Sequence, residues 1–160
     1  MVRVLILFFF LFSFKSIEAQ KNILFISVDD LKPMFNSYGH EDMITPNIDA
    51  LAAKGTSFLN TSTQQAICAP SRASLLTGLY PDNTRVWDLE TQIRDENPNV
   101  VTLPQHFKDN GYYSVGLGKI FDNRSVDNNY DGNSWSTQFL QGMPNPVSYT
   151  HLTLPTIYSV

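Results

Sequence analysis

The chain holds a single cysteine, Cys68, among 160 residues, so no intramolecular disulfide can staple it, and the disulfide-framework scaffolds of small exported domains are excluded. It also lacks any cluster of Lys and Arg. Eleven basic residues against fifteen acidic ones leave a net charge of -4, which removes the electrostatic footprint that nucleic acid or an anionic membrane surface requires. No apolar run reaches the roughly 18 to 20 residues that cross a bilayer as a helix, and no segment repeats. What is present is 42% apolar residues, enough for one core of ordinary domain size.

The first residues differ from the rest. Arg3 supplies a positive start, Val4 to Phe12 is an unbroken apolar run, and Ser13 to Ala19 turns polar, with small Ala19 just before Gln20. Residues 1–19 therefore read as a signal peptide, the alternative being an uncleaved amino-terminal anchor, for which the run is short. Cleavage predicts a secreted or periplasmic protein with no stable membrane anchor. In an oxidising compartment a lone Cys68 is either a small buried hydrophobe or a residue used chemically.

Strand and helix signals alternate after that. Asn22 to Val28 is a β-branched and aromatic run that ends in Asp29-Asp30, as a buried strand would. Thr45-Pro46 opens a helix that Gly55 closes, Thr56 to Asn60 returns to strand character, and Pro70-Ser71 opens a second helix ending before Gly78. Thr102, Pro104 and Gly111 bracket a third, followed by a strand over Tyr112 to Leu117. This order predicts an α/β fold, a mainly parallel or mixed sheet flanked by helices. From Asp122 the chain is rich in Asn, Asp, Ser and Gly and reads as loop, with Trp135 and Phe139 as apolar anchors. Residues 148–160 fit neither that loop nor an amphipathic helix and read as an atypical tail.

Asp29 and Asp30 stand at the carboxyl end of the first strand, where open α/β sheets place ligands. Their oxygens suit a hard divalent cation such as calcium or magnesium, provided the chain leaves the extended form there so that both side chains face one point. Taken alone, an Asp-Asp pair fits a solvated turn better than a metal site. Cys68 lies at a helix amino terminus, where unpaired N–H groups and the helix dipole favour an anionic nucleophile and an anionic substrate. Arg72, four residues on, carries the planar fork that holds oxyanions. His40 and His106 read as turn and helix-surface residues.

Cys68-Ala69-Pro70-Ser71-Arg72 followed by Thr77-Gly78-Leu79-Tyr80-Pro81 resembles the signature of the sulfatase family, within the alkaline phosphatase superfamily. The resemblance runs in order from Asn22-Ile23-Leu24-Phe25-Ile26-Ser27-Val28-Asp29-Asp30, through Thr45-Pro46-Asn47-Ile48-Asp49 and Leu103-Pro104, to Gly118-Lys119-Ile120-Phe121. The wording Asp-Asp-Leu-Lys-Pro and Gly-Lys-Ile-Phe is most similar to the iduronate-2-sulfatase-like branch. It implies that residues 20–147 form the amino-terminal part of a sulfatase catalytic domain. It further implies that a separate maturation enzyme converts Cys68 to formylglycine, whose hydrate attacks sulfur and then expels sulfate as the aldehyde reforms. Asp29, Asp30 and modified Cys68 are then the metal ligands, Arg72 fixes the diol, and Lys119 contacts sulfate. The implied substrate is a sulfated carbohydrate or a small sulfate ester.

Two departures stand out. Relatives in that branch often carry a histidine after Gly-Lys-(Ile/Val)-Phe, where this chain has Asp122, which cannot donate to a sulfate oxygen at neutral pH. The further metal and substrate ligands that the resemblance implies are not in the sequence, so the chain is expected to be an inactive fragment by itself. Two alternatives remain: a phosphonate or phosphate monoester hydrolase of the same superfamily, and a non-catalytic sulfated-glycan-binding remnant in which Cys68 stays a thiol.

Overall fold

A computed structural model describes residues 20–140; residues 1–19, expected to be a signal peptide, and residues 148–160, expected to be an atypical tail, lie outside the described residues. Among those described, the regular elements are helical: α1 (Pro46–Lys54), α2 (Cys68–Thr77), α3 (Pro81–Thr84), α4 (Ile93–Glu96) and α5 (Leu103–Asp109), with 3-10 turns at Asn36–Tyr38 and Gly132–Ser134. No helix among them is long and apolar enough to cross a membrane.

The three expected helices form where their boundary residues put them. Pro46 and Pro104 fall in the first turns of α1 and α5, where the missing N–H costs nothing. Gly78 ends α2 in the left-handed conformation, φ 70°, its N–H returning to the Ser74 carbonyl. Thr102 caps α5 by accepting from the Gln105 N–H at 3.3 Å. Thr45 does not cap α1 in that way: its hydroxyl donates to the Asp49 carboxylate and accepts from the Asn36 N–H, so it ties the preceding turn to the helix. The short helices α3 and α4 had no expected counterpart.

The expected sheet is not seen among the described residues. Among the described residues there is no strand, only an isolated parallel bridge between Leu117 and Leu140. Asn22 to Val28, Thr56 to Asn60 and Tyr112 to Leu117 were the expected strands, and their apolar side chains, including Leu24, Ile26, Phe58, Leu59 and Tyr113, are exposed. The reason is that an apolar run supplies β propensity, whereas a strand exists only with a ladder partner for its N–H and C=O groups. The nearest approach to a ladder is between 114–118 and 136–140, where Ser136 N–H donates to the Ser114 carbonyl, Leu140 N–H to Gly116 and Gly118 N–H to Leu140.

The core sits elsewhere, between α2, α4 and the segment from Phe121 to Phe139. Ala69, Ala73, Leu76, Val86, Ile93, Phe121, Val126, Trp135 and Phe139 form one buried cluster. The stretch read as loop from Asp122 therefore holds much of the hydrophobic interior. Phe139 stacks on Tyr130 at 4.9 Å between ring centroids and leans on Trp135. Gly116 admits them: a Cβ there would lie 2.6 Å from ring atoms of both Phe139 and Trp135. Beside the aromatics, Asp131 is buried and receives Arg94 Nε at 2.7 Å and the Ser134 hydroxyl, while Arg94 also donates to Gln105. That paired, hydrogen-bonded ion pair ties α4, α5 and the 3-10 turn at Gly132–Ser134 together.

Candidate active site

Helix α2 begins at Cys68, with Ile67 extended before it. The first N–H to find an acceptor one turn back is that of Ser71, which bonds the Ile67 carbonyl at 3.1 Å. Pro70 has no N–H, so the helix leaves the donors of Cys68 and Ala69 without intrahelical partners, on the end where the dipole favours negative charge. Ala69 and Ala73 face the core, which fixes α2 and leaves Cys68 half-buried at its tip.

The run Asn22 to Val28 delivers Asp29 and Asp30 to that tip. Asp30 adopts φ 49°, a left-handed conformation uncommon outside glycine. This is the departure from extended backbone needed for adjacent carboxylates to converge. One ligand atom from each of Asp29, Asp30 and Cys68 lies within 4.8 Å of the others.

Arg72 is buried, 6% exposed, and knits the parts together. Its Nη2 donates to Asp29 Oδ1 at 2.9 Å, and its Nη1 donates to the Ser27 hydroxyl at 3.0 Å and to the carbonyls of Lys119 and Ile120. Lys119 then reaches the other oxygen of the same carboxylate, Nζ to Asp29 Oδ2 at 2.6 Å. The hydrogen bond from Lys119 and the Arg72 guanidinium hold the Asp29 carboxyl below its usual range against the cost of partial burial. Lys119 is in turn held protonated to higher pH: partial burial opposes this, and the hydrogen bond to Asp29 together with that carboxylate's charge outweighs it.

All five residues singled out from the sequence thus meet, and His40 and His106 take no part. Ser27 and Arg124 were missed, and Asp122 was noted only as a departure from the branch's histidine. Ser27 could have been noticed as the one hydroxyl in an apolar run. Asp122 is buried, 1% exposed; its oxygens accept from Arg124 Nε and Nη2, both at 2.9 Å, and its Oδ2 lies 3.6 Å from Lys119 Nζ. The fork from Arg124 keeps its carboxyl at about 2, against an ordinary 3.8. Nothing in the local sequence distinguishes this pair from solvated loop charges.

The sulfatase family profile matches residues 21–152. The chain belongs to the sulfatase family. Its likeness lies in the iduronate-2-sulfatase-like branch: it is 43% identical over 128 residues to the iduronate 2-sulfatase of Mus musculus and 42% identical over 128 residues to that of Homo sapiens, matches that cover 80% of this chain. A choline-sulfatase of Rhizobium meliloti is 37% identical over 100 residues, 62% of this chain. The chain spans 23% of the length of either iduronate 2-sulfatase and 19% of the choline-sulfatase. Sulfatase membership implies the α/β class, although the described residues form no sheet. Sulfatases use a metal ion and a cysteine-derived formylglycine, and the donor set here fits both: two carboxylates of hard oxygen converge on the one cysteine.

Proposed function

We propose that the protein to which this chain contributes hydrolyses sulfate esters, on a sulfated carbohydrate or a small sulfate ester, with residue 68 as the nucleophile after conversion of Cys68 to formylglycine by a separate maturation enzyme. Residues 20–147 are then the amino-terminal part of the catalytic domain, and residues 1–19 direct secretion or export to the periplasm. The observation that carries the reading is the convergence of Cys68, Asp29 and Asp30 on one point, at a helix amino terminus and beside two cations.

Asp29, Asp30 and residue 68 would hold one divalent cation, calcium in first place and magnesium in second, which supplies positive charge against the sulfate oxygens and acidifies the nucleophile. The chain's own groups do the remaining work. Arg72, locked by Ser27 and two backbone carbonyls, keeps Asp29 turned toward residue 68. Lys119 offers a point charge to a sulfate oxygen, and the free N–H groups at the start of α2 add donors of fixed direction. Three ligands fall short of the roughly six to eight oxygens calcium takes, so water, the substrate's sulfate or residues outside those described would complete the shell.

The test is twofold. The peptide containing residue 68, isolated from protein expressed with a maturation enzyme, should weigh about 18 Da less than its thiol form, a change unlike the additions of ordinary cysteine oxidation. The full-length matured protein should turn over an aryl sulfate faster than the matching aryl phosphonate. A peptide found only as thiol, or a large preference for phosphonate, would overturn the assignment.

A further inference from the structure

The charges of the site do not stop at Lys119. From the nucleophile outward they alternate: Arg72 on Asp29 Oδ1, Lys119 on Asp29 Oδ2, Asp122 Oδ2 at 3.6 Å from Lys119, and Arg124 on both oxygens of Asp122. The two carboxylates differ in exposure. The Asp29 side chain is 39% exposed, as an atom group open to a ligand should be, whereas that of Asp122 is fully enclosed. Phe121 next to it is a core residue, and the Asp122 carbonyl accepts from both the N–H and the hydroxyl of Ser125. Asp122 is therefore an internal fixture that cannot itself meet a substrate.

Its fixed carboxylate orients what lies outside it. The Arg124 main-chain N–H and two of its guanidinium nitrogens all converge on Asp122, so the side chain is pinned in one rotamer although half of it, 50%, faces solvent. Pinning removes the rotamer entropy that a free surface arginine would lose on binding. The third nitrogen, Nη1, takes no hydrogen-bond acceptor among the described residues.

We infer that Arg124, held by buried Asp122, is a specificity-determining residue that binds a second anionic group, a carboxylate or a further sulfate, on the molecule whose sulfate ester is cleaved at residue 68. The inference rests on the sulfatase reading above and goes beyond it. Lys119 serves the ester sulfate and Arg124 the second anion, with Asp122 between them setting their separation and preventing the two cations from repelling each other. An uncharged aglycone would leave Arg124 solvated and gain nothing from it.

The experiment uses the full-length matured protein and three substrates: a plain aryl sulfate, the same aryl sulfate bearing a carboxylate, and one bearing a second sulfate. Turnover of the plain substrate by the unsubstituted protein tests the sulfatase reading alone, and its absence would remove both claims. Given turnover, Arg124→Gln should lower kcat/KM for at least one dianionic substrate, relative to the plain one, by tenfold or more, chiefly through KM; which one falls tells carboxylate from sulfate. Arg124→Lys, which keeps the charge, should recover part of that ratio. A ratio within twofold of the unsubstituted protein's for both dianionic substrates, or equal losses on all three, would overturn the role assigned to Arg124.

Discussion

Arg72 has more to do than neutralise Asp29. Its fork spans a hydroxyl, a carboxylate and two carbonyls from segments 43 to 48 residues distant in sequence, and an ammonium cannot reproduce that planar set. Arg72→Lys in the full-length protein should therefore reduce kcat/KM for an aryl sulfate by at least about 10²-fold, the scale on which oriented donors act. Because the substitution also alters the maturation motif, mass analysis of residue 68 must accompany the kinetics. Asp122 makes a second prediction, about pH. Its folded carboxyl titrates at about 2 and its ordinary value is 3.8; the folded value is the lower, so the stabilisation is complete above the ordinary value and disappears as pH falls through the folded one. Asp29 shifts in the same direction. Asp122→Asn should cost on the order of 2 kcal/mol at neutral pH, and that difference should shrink toward about pH 2 in acid-unfolding curves. Cys68, Arg72 and the Asp pair were legible as residues because helix-start signals and an abrupt strand end are local. The burial of Asp122 and its pairing with Arg124 were not, because both depend on tertiary packing.

Helices α1, α2 and α5 carry their boundaries in their own sequence, proline near the start and glycine past the end, and for that reason they were foreseeable. The contacts that hold the helices against one another were not. Arg94 of α4 reaches Asp131 and Gln105, and Asp131 is 3% exposed. Arg94→Ala strands a buried carboxylate and should destabilise the protein by about 3 to 5 kcal/mol in urea or thermal unfolding. Gly116 presents the opposite situation, a place where a side chain is forbidden. Gly116→Ala would push a methyl into Trp135 and Phe139 and should cost about 1 to 3 kcal/mol by overpacking, with a loss of near-ultraviolet aromatic ellipticity. The expected strands failed at this same scale. Their composition was right, but the hydrogen-bond partners a strand needs belong to other elements.

For the whole molecule, one core joins α2 to the Phe121–Phe139 segment, and the site lies where the tip of that anchored helix meets two segments from either side of it in sequence. If the converged Asp29, Asp30 and residue 68 hold a divalent cation, treating the full-length matured protein with a chelator should abolish aryl sulfate turnover, and calcium or magnesium should restore it; Asp30→Asn should raise the cation concentration needed for half-restoration by about tenfold or more. The amino-acid sequence by itself determined the family, the limits of α1, α2 and α5, and the five residues that meet at the candidate site, since each is a matter of residue type and short-range spacing. Only the tertiary structure decided that the polar stretch after Asp122 supplies much of the core, that the apolar runs lie exposed, and that Arg124 is held by a buried carboxylate. Burial, pairing and convergence are properties of segments far apart in the chain, and no local pattern encodes them.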